Sequence, residues 1–399
     1  APTRAVMAAL EAAGGPGCAR FVGGSVRDAL IGEVQPDQDI DIATVLTPPD
    51  TMAALKRAGL RAIPTGVEHG TVTAIADGRP FEITTLRRDV ETDGRRAVVA
   101  FTTDWAEDAA RRDFRLNALY AEADGTLHDP TGDGIADALA GRVVFVGDPE
   151  TRIREDYLRI LRFFRFYARY GRGEPDAAGL AACAALRQGL ERLSGERVAK
   201  EVLKLLSAPD PGEAIARMAA TGVLETLLAG SDTLRLEALM ALERREGLER
   251  DPELRLAALL PPEPRAIAAA SKRLRLSNAL SARLLGAAGS LNQALTWQGV
   301  RRAVYALGPR TAEDRLVLAW SADPAGPAWR ACLDEVKRWR PPPFPVTGED
   351  IKARGVAEGP AVGRVRRSVE AWWIASDFPT DRAEALAALD QAVRSDSAG

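Results

Sequence analysis

The sequence predicts an α+β fold, with a small mixed sheet near the N-terminus and helices for the remainder. Three observations carry this. Short runs of alternating apolar and polar residues, the period of a strand, cluster before residue 147. From Asp148 onward the apolar residues recur at helical spacing instead. The 399 residues also supply enough chain for two to four domains with cores of their own.

Taken in order, residues 3–13 read as an amphipathic helix stopped by Gly14-Gly15, and Cys18 to Val22 as a strand. Residues 25–31 read as a helix leading to a strand that carries Asp39-Ile40-Asp41-Ile42. Thr47-Pro48-Pro49-Asp50 caps a third helix that ends before Gly59. The runs 70–76 and 80–86 are strands joined at Asp77-Gly78, a dipeptide suited to a tight hairpin. Residues 87–96, RRDVETDGRR, are polar and read as a mobile loop before a strand at 97–101. Thr103-Asp104 then caps a helix to about Arg111, and residues 118–146 add short strands and a Gly/Asp-rich connection. One helix is expected from Ile153 to Tyr170, with Tyr157, Leu158, Leu161, Phe164 and Ala168 on its core face. Helices follow at about 178–191, 195–207 and 212–258, interrupted by Pro-Asp-Pro at 209–211, and RPPPFPVTGED at 340–350 opens a last helical segment.

The stretch from Phe21 to Ile42 carries the chemistry. Residues two apart on a strand point the same way, so Asp39 and Asp41 are expected to share one face while Ile40 and Ile42 take the buried one. Paired carboxylates repel unless a cation lies between them, and hard divalent ions such as Mg²⁺ favour carboxylate oxygens. Gly23-Gly24 can bring backbone N–H groups close to a phosphate at a helix start, where Arg27 could add a guanidinium. Glu82, alternating with Phe81 and Ile83, can bring a third carboxylate from a neighbouring strand. Arg112 suits a triphosphate and Asn117 a ribose or backbone contact. In the first long helix, Asp156, Arg159, Arg162 and Arg165 are expected on a single stripe.

Composition narrows the alternatives. Charge is nearly balanced, 53 basic against 56 acidic residues, so any nucleic-acid binding has to come from local patches. One such patch is the stretch Pro264 to Ala312, which lacks Asp and Glu but carries Lys272, Arg273, Arg275 and Arg283 among its cations. The three cysteines are scattered, which argues against a zinc site or a disulfide framework. Two histidines, His69 and His128, are too few for a His-rich metal hydrolase centre, so no phosphatase activity is expected. No apolar run reaches membrane-spanning length and no secretory h-region is present, which leads to the expectation of a cytoplasmic protein with no membrane partner. No obligatory protein partner is called for.

Together these motifs resemble the class II template-independent nucleotidyltransferases, the family of tRNA CCA-adding enzymes and bacterial poly(A) polymerases. Gly23-Gly24-x-Val26-Arg27-Asp28 with Asp39-x-Asp41 is similar to the family's metal-binding motif, in a head related to DNA polymerase beta. Arg111-Arg112-Asp113-Phe114-x-x-Asn117-Ala118 is similar to its sugar- and triphosphate-contacting motif. The loop ending in Asp93-Gly94-Arg95 resembles the family's flexible loop. Glu155-Asp156-x-x-Arg159 resembles its amino-acid template, with Arg162 and Arg165 as further nucleotide contacts, and Ser194-Gly195-Glu196-Arg197 its helix-stabilising motif. Tyr157 departs from the proline that many bacterial members have there.

The resemblance implies a catalytic head at 1–147, a helical neck with the nucleotide-selecting helix at 148–208, an RNA-binding body at 209–340 and a tail at 341–399. It implies CCA addition to tRNA from CTP and ATP with Mg²⁺, the catalytic acids being Asp39, Asp41 and Glu82. Poly(A) addition is the competing activity. The spacing of the flexible loop and the absence of a strongly basic C-terminal extension favour CCA.

Overall fold

The computed structural model describes residues 2–34, 38–93, 96–291 and 294–397. The chain forms two compact units, 1–231 and 232–399. In the first unit helix α1 (Pro2–Gly14) precedes strand β1 (Ala19–Val22), helix α2 (Gly24–Ile31), strand β2 (Asp41–Thr44) and helix α3 (Pro48–Arg57). Strands β3 (Arg61–Gly66), β4 (Thr71–Ala76) and β5 (Arg79–Thr85) follow, then β6 (Arg87–Asp93), β7 (Arg96–Phe101), helix α4 (Trp105–Ala110), β8 (Tyr120–Ala121) and β9 (Leu127–His128).

Seven strands make one sheet in the order β3-β4-β5-β2-β1-β8-β9. All neighbours are antiparallel except β2 and β5, which run parallel and register Asp41 against Glu82. One face buries Ile42, Val72, Phe81 and Ile83 under Val6, Met7 and Leu10 of α1 and Leu55 of α3. Strand alternation therefore turns Asp41 and Glu82 to the other face. The expected hairpin at Asp77-Gly78 is present, both residues at positive φ (50° and 76°).

Two expectations change here. Strand β2 begins at Asp41, so Asp39 lies in the segment before it and not on the strand. Residues 87–96 are not an open loop: β6 and β7 pair as an antiparallel ribbon from Arg87↔Phe101 to Asp93↔Arg96, with Gly94-Arg95 outside the described residues. The returning arm, RAVVAF, is rich in the apolar and β-branched residues that favour strands, and supplies the partner that a polar strand needs. Strand β3 was missed altogether; Pro64 and two exposed threonine and arginine positions mark it as an edge.

Helices α5 (Gly134–Ala140), α6 (Pro149–Glu155), α7 (Leu158–Tyr170), α8 (Ala177–Ala185), α9 (Gly195–Leu206), α10 (Gly212–Ala220) and α11 (Val223–Leu227) complete the unit. The helix expected at 153–170 is two helices. Asp156 is extended (φ −153°, ψ 105°), and the Tyr157 ring beside it fills the space where a side chain on Gly189 would stand. Helix α7 buries Leu158, Leu161 and Phe164 as expected, and also Ile160, Phe163, Phe166 and Tyr167; Tyr157 and Ala168 stay half-buried. Phe163 and Phe166 join Phe114 and Phe145 in a ring cluster, with centroids 4.9–6.3 Å apart, that fixes α7 to the sheet-bearing part.

The second unit is helical: α12 (Thr233–Glu246), α13 (Pro252–Leu259), α14 (Pro264–Leu274), α15 (Asn278–Ala287), α16 (Trp297–Leu307), α17 (Pro309–Ala322), α18 (Trp329–Arg338), α19 (Gly348–Lys352), α20 (Pro360–Ala375) and α21 (Arg382–Ser397). One apolar core gathers Leu239, Val304, Leu316, Trp320 and Leu333, and a second gathers Val346, Ile351, Val365 and Leu389. No helix among the described residues is long and apolar enough to cross a membrane. Cys18, Cys183 and Cys332 are unpaired and buried, and burial pushes each thiol above its ordinary pKa.

Candidate active site

The site starts where β1 ends. Gly23 has φ 74° and ψ −128°, backbone that only glycine adopts readily, and it turns the chain into α2. A Cβ there would stand 3.6 Å from Nη1 of Arg112. Because Phe21 pairs with Ile42, this turn leaves β1 beside the first residue of β2, Asp41. Asp41 stands next to Glu82 across the parallel pair, with Asp39 close enough to act on it electrostatically. Desolvation first, then Glu82 and Asp39, raise the Asp41 carboxyl, while Arg112 opposes them. The structure thus places Gly23, Asp41, Glu82 and Arg112 at one end of the sheet, with Asp39 near Asp41.

Arg112 is held from behind. Its Nε and Nη2 donate to Oδ2 of Asp108 (3.2 and 2.9 Å), which also accepts from the Tyr120 hydroxyl (2.8 Å). Asp108 is buried and escaped notice in the sequence, although it lies three and four residues before Arg111 and Arg112 on one helix face.

Arg27 departs from its expected role as an open phosphate clamp. It is 4% exposed, stacks on the Tyr170 ring at 3.8 Å, and donates to Asp28, to Oδ1 of Asn117 and to the Tyr170 hydroxyl. Asn117 in turn donates to Asp113 (3.2 Å), and Asp113 accepts from Arg162 through Nε (2.8 Å) and Nη2. A bonded chain therefore runs from α2 to α7. It occupies the amide oxygen of Asn117 and much of Arg162, which were expected to face nucleotide. Arg165 likewise donates to Glu201 of α9.

Asp156 and Arg159 sit at the helix break. Asp156 caps α7 by accepting from the Leu158 N–H (3.1 Å), and its other oxygen accepts from Arg197 (2.7 Å). The Asp156–Arg159 proximity thus comes from the start of α7 and not from a continuous helical stripe. Arg159 donates one Nη to Glu155 (2.9 Å). Glu155 also accepts from buried Arg152, whose Nη2 donates to the carbonyl oxygens of Arg111 and Arg112. The backbone at Arg111 and Arg112 and the guanidinium of Arg159 are therefore tied through two side chains, Arg152 and Glu155.

In the second unit the acid-free stretch is less basic than its sequence. Arg283, expected on RNA, is instead enclosed by Asp251, Glu253 and Asp314. Arg301 pairs with Glu335 and Asp377, and Arg310 with Asp251. The neutralising acids come from outside 264–312, so a linear window overstates the charge. Lys272 and Arg275, at the end of α14, are exposed, and Arg273 is half-buried.

Comparison with known proteins identifies the family and the fold. The family described as "Poly A polymerase head domain" matches residues 19–144, and "Probable RNA and SrmB- binding site of polymerase A" matches 175–233. The mitochondrial CCA tRNA nucleotidyltransferase 1 of Mus musculus is 35% identical over 92% of this chain and 85% of its own length. The CCA-adding enzyme of Levilactobacillus brevis is 33% identical over 97% and 96%. The crystal structure of the Bacillus stearothermophilus CCA-adding enzyme in complex with CTP superposes with a TM-score of 0.78 at 26% identity, over 99% of this chain and 98% of that one. On its fold, its motifs and these near-full-length similarities, the chain belongs to the class II family of CCA-adding tRNA nucleotidyltransferases and poly(A) polymerases.

Proposed function

We infer that this protein is a CCA-adding tRNA nucleotidyltransferase, transferring C, C and then A from CTP and ATP to the 3′ end of tRNA with release of pyrophosphate. The observation that carries this is the near-full-length similarity to CCA-adding enzymes, joined to a site that pairs an acidic strand edge with a carboxylate–guanidinium selector.

Asp39 and Asp41, with Glu82 beside them, would hold Mg²⁺; Mn²⁺ suits the same oxygen donors. Among the described residues no three His, Cys, Asp or Glu side chains are grouped closely enough to hold a metal ion by themselves. That fits Mg²⁺, which is usually held by one or two carboxylates together with substrate phosphates. Bound there, it would supply activation of the RNA 3′-hydroxyl and charge neutralisation at the leaving pyrophosphate. Phosphoryl transfer otherwise asks for positioning and fixed positive charge. The Gly23 N–H is given to the Leu119 carbonyl (3.1 Å), so the first-turn N–H groups of α2 that follow it and the Nη1 end of Arg112 would provide both.

Base choice follows from donor and acceptor types. A carboxylate only accepts and a guanidinium only donates. Asp156 keeps lone pairs beyond the two already used and accepts the exocyclic amine of cytosine or adenine; Arg159 donates to cytosine N3 and O2 or to adenine N1. Uracil and guanine present the opposite groups and fail at both contacts. The β6–β7 ribbon is the part we assign to closing the site for A addition, and shortening it should harm A addition more than C addition. Lys272, Arg273 and Arg275 are proposed to contact RNA, through phosphate charge alone.

The test is a tRNA ending at the discriminator base, offered CTP alone, ATP alone and both. Growth that stops after CCA is expected. A long A tail from ATP alone would assign poly(A) addition instead.

A further inference from the structure

We propose that Asp108 is the positioning residue for Arg112, and that it ties this guanidinium to the root of the β6–β7 ribbon. The inference rests on Arg112 serving the triphosphate, as read above. Asp108 is 2% exposed, at the C-terminal side of the capped turn of α4. Its two oxygens have divided duties. Oδ2 takes Nε and Nη2 of Arg112 and the Tyr120 hydroxyl, whose oxygen itself accepts from Arg112 Nε (3.2 Å). Oδ1 takes Nε of Arg111 (3.1 Å) and the backbone N–H of Arg87 (3.3 Å), the first residue of the ribbon.

A side-on carboxylate consumes the Nε–Nη2 edge of a guanidinium and leaves the Nη1 end pointing away from it. Here that end meets the open side of Gly23 at 3.6 Å from a Cβ position, and its charge is felt at Asp41. Three of the five donors to this carboxylate are guanidinium N–H groups. Movement of Arg87 with the ribbon therefore acts on the same rigid group that aims Arg112. Although burial pushes its carboxyl up, the Arg112 and Arg111 guanidiniums and the Tyr120 hydroxyl hold Asp108 below the usual range, so it stays an anion able to accept from all of them. Asparagine cannot replace it, because its amide offers one accepting atom and not two.

The experiment measures affinity of the full chain for CTP and for CMP, with Mg²⁺ present, in wild type and Asp108→Asn. Wild type preferring CTP establishes the triphosphate reading first; no preference would remove that reading independently of this one. The expected result is a loss of CTP affinity of about 10-fold, the scale of a charge-assisted hydrogen bond, with CMP affinity unchanged. Equal losses for CTP and CMP, or unchanged CTP affinity, would overturn the proposal. Amide exchange at Arg87 should quicken in the same variant; unchanged exchange would remove the link to the ribbon. Tyr120→Phe, which leaves the carboxylate in place, should lower the CTP-to-CMP preference about 3-fold, a hydroxyl bond's worth. An unaltered preference in that variant overturns the proposal even if Asp108→Asn does not fold.

Discussion

At the edge of β2 and β5, Asp41 and Glu82 stand side by side, with Asp39 close enough to act on Asp41, and no protein cation is bonded to them among the described residues, whereas at the break between α6 and α7 each charged side chain has a protein partner. The first arrangement carries more negative than positive charge, which suits the cation proposed for it. The second is satisfied before any nucleotide arrives, so its groups are already aimed. A group meant to hold an ion gains from being short of charge. A group meant to discriminate among bases gains from being fixed, because specificity depends on contacts that cannot adapt to the wrong base.

The largest effect that would break this contrast lies at the acidic edge. Asp41→Ala should lower pyrophosphate release about 10³-fold or more while the fold persists by circular dichroism; retained activity would remove the edge from catalysis. Next comes the selector. Asp156→Ala should cut the preference for C and A over U and G about 10- to 100-fold, the range of a charged hydrogen bond, with Mg²⁺ affinity intact. Lost metal affinity with unchanged preference would reverse the assignment of the two regions. Arg197→Ala removes only the group that fixes Asp156, and should lower that preference about 5-fold while CTP affinity changes little.

The smallest effect tests the shortage of charge itself. The folded chain binds the Asp41 proton more tightly than the unfolded chain, since desolvation, Glu82 and Asp39 raise that carboxyl. Its contribution is present at low pH and is lost as pH rises through the raised value, so at neutral pH the charged Asp41 costs stability. Asp41→Asn should therefore raise the Tm of the metal-free protein slightly at pH 7. The gain should vanish once pH falls below about 3.8, the ordinary aspartate value. A lowered Tm at pH 7 would mean the edge is not strained.

Much of this was legible in the sequence where local rules decide. The glycine turn, the Asp77-Gly78 hairpin and the alternation that turns Glu82 toward Asp41 each follow from one backbone preference or one period. What escaped depends on partners distant in the chain. The break at Asp156 is invisible to helical periodicity, because Tyr157 leaves the helix to fill space above Gly189. Arg27 and Arg283 looked like exposed cations until Asn117, Tyr170, Asp251 and Asp314 folded onto them. The strand at 87–93 became one only through its pairing with 96–101.

The burial of all three cysteines has a practical consequence. Thiols react as thiolates, and these three are both shielded and shifted away from ionising. A cysteine introduced at exposed Arg88, one residue beyond the ribbon's first, would thus be the chain's dominant reactive thiol without removal of any native one. A fluorophore placed there turns the ribbon into its own reporter, able to time each nucleotide added during a single turnover.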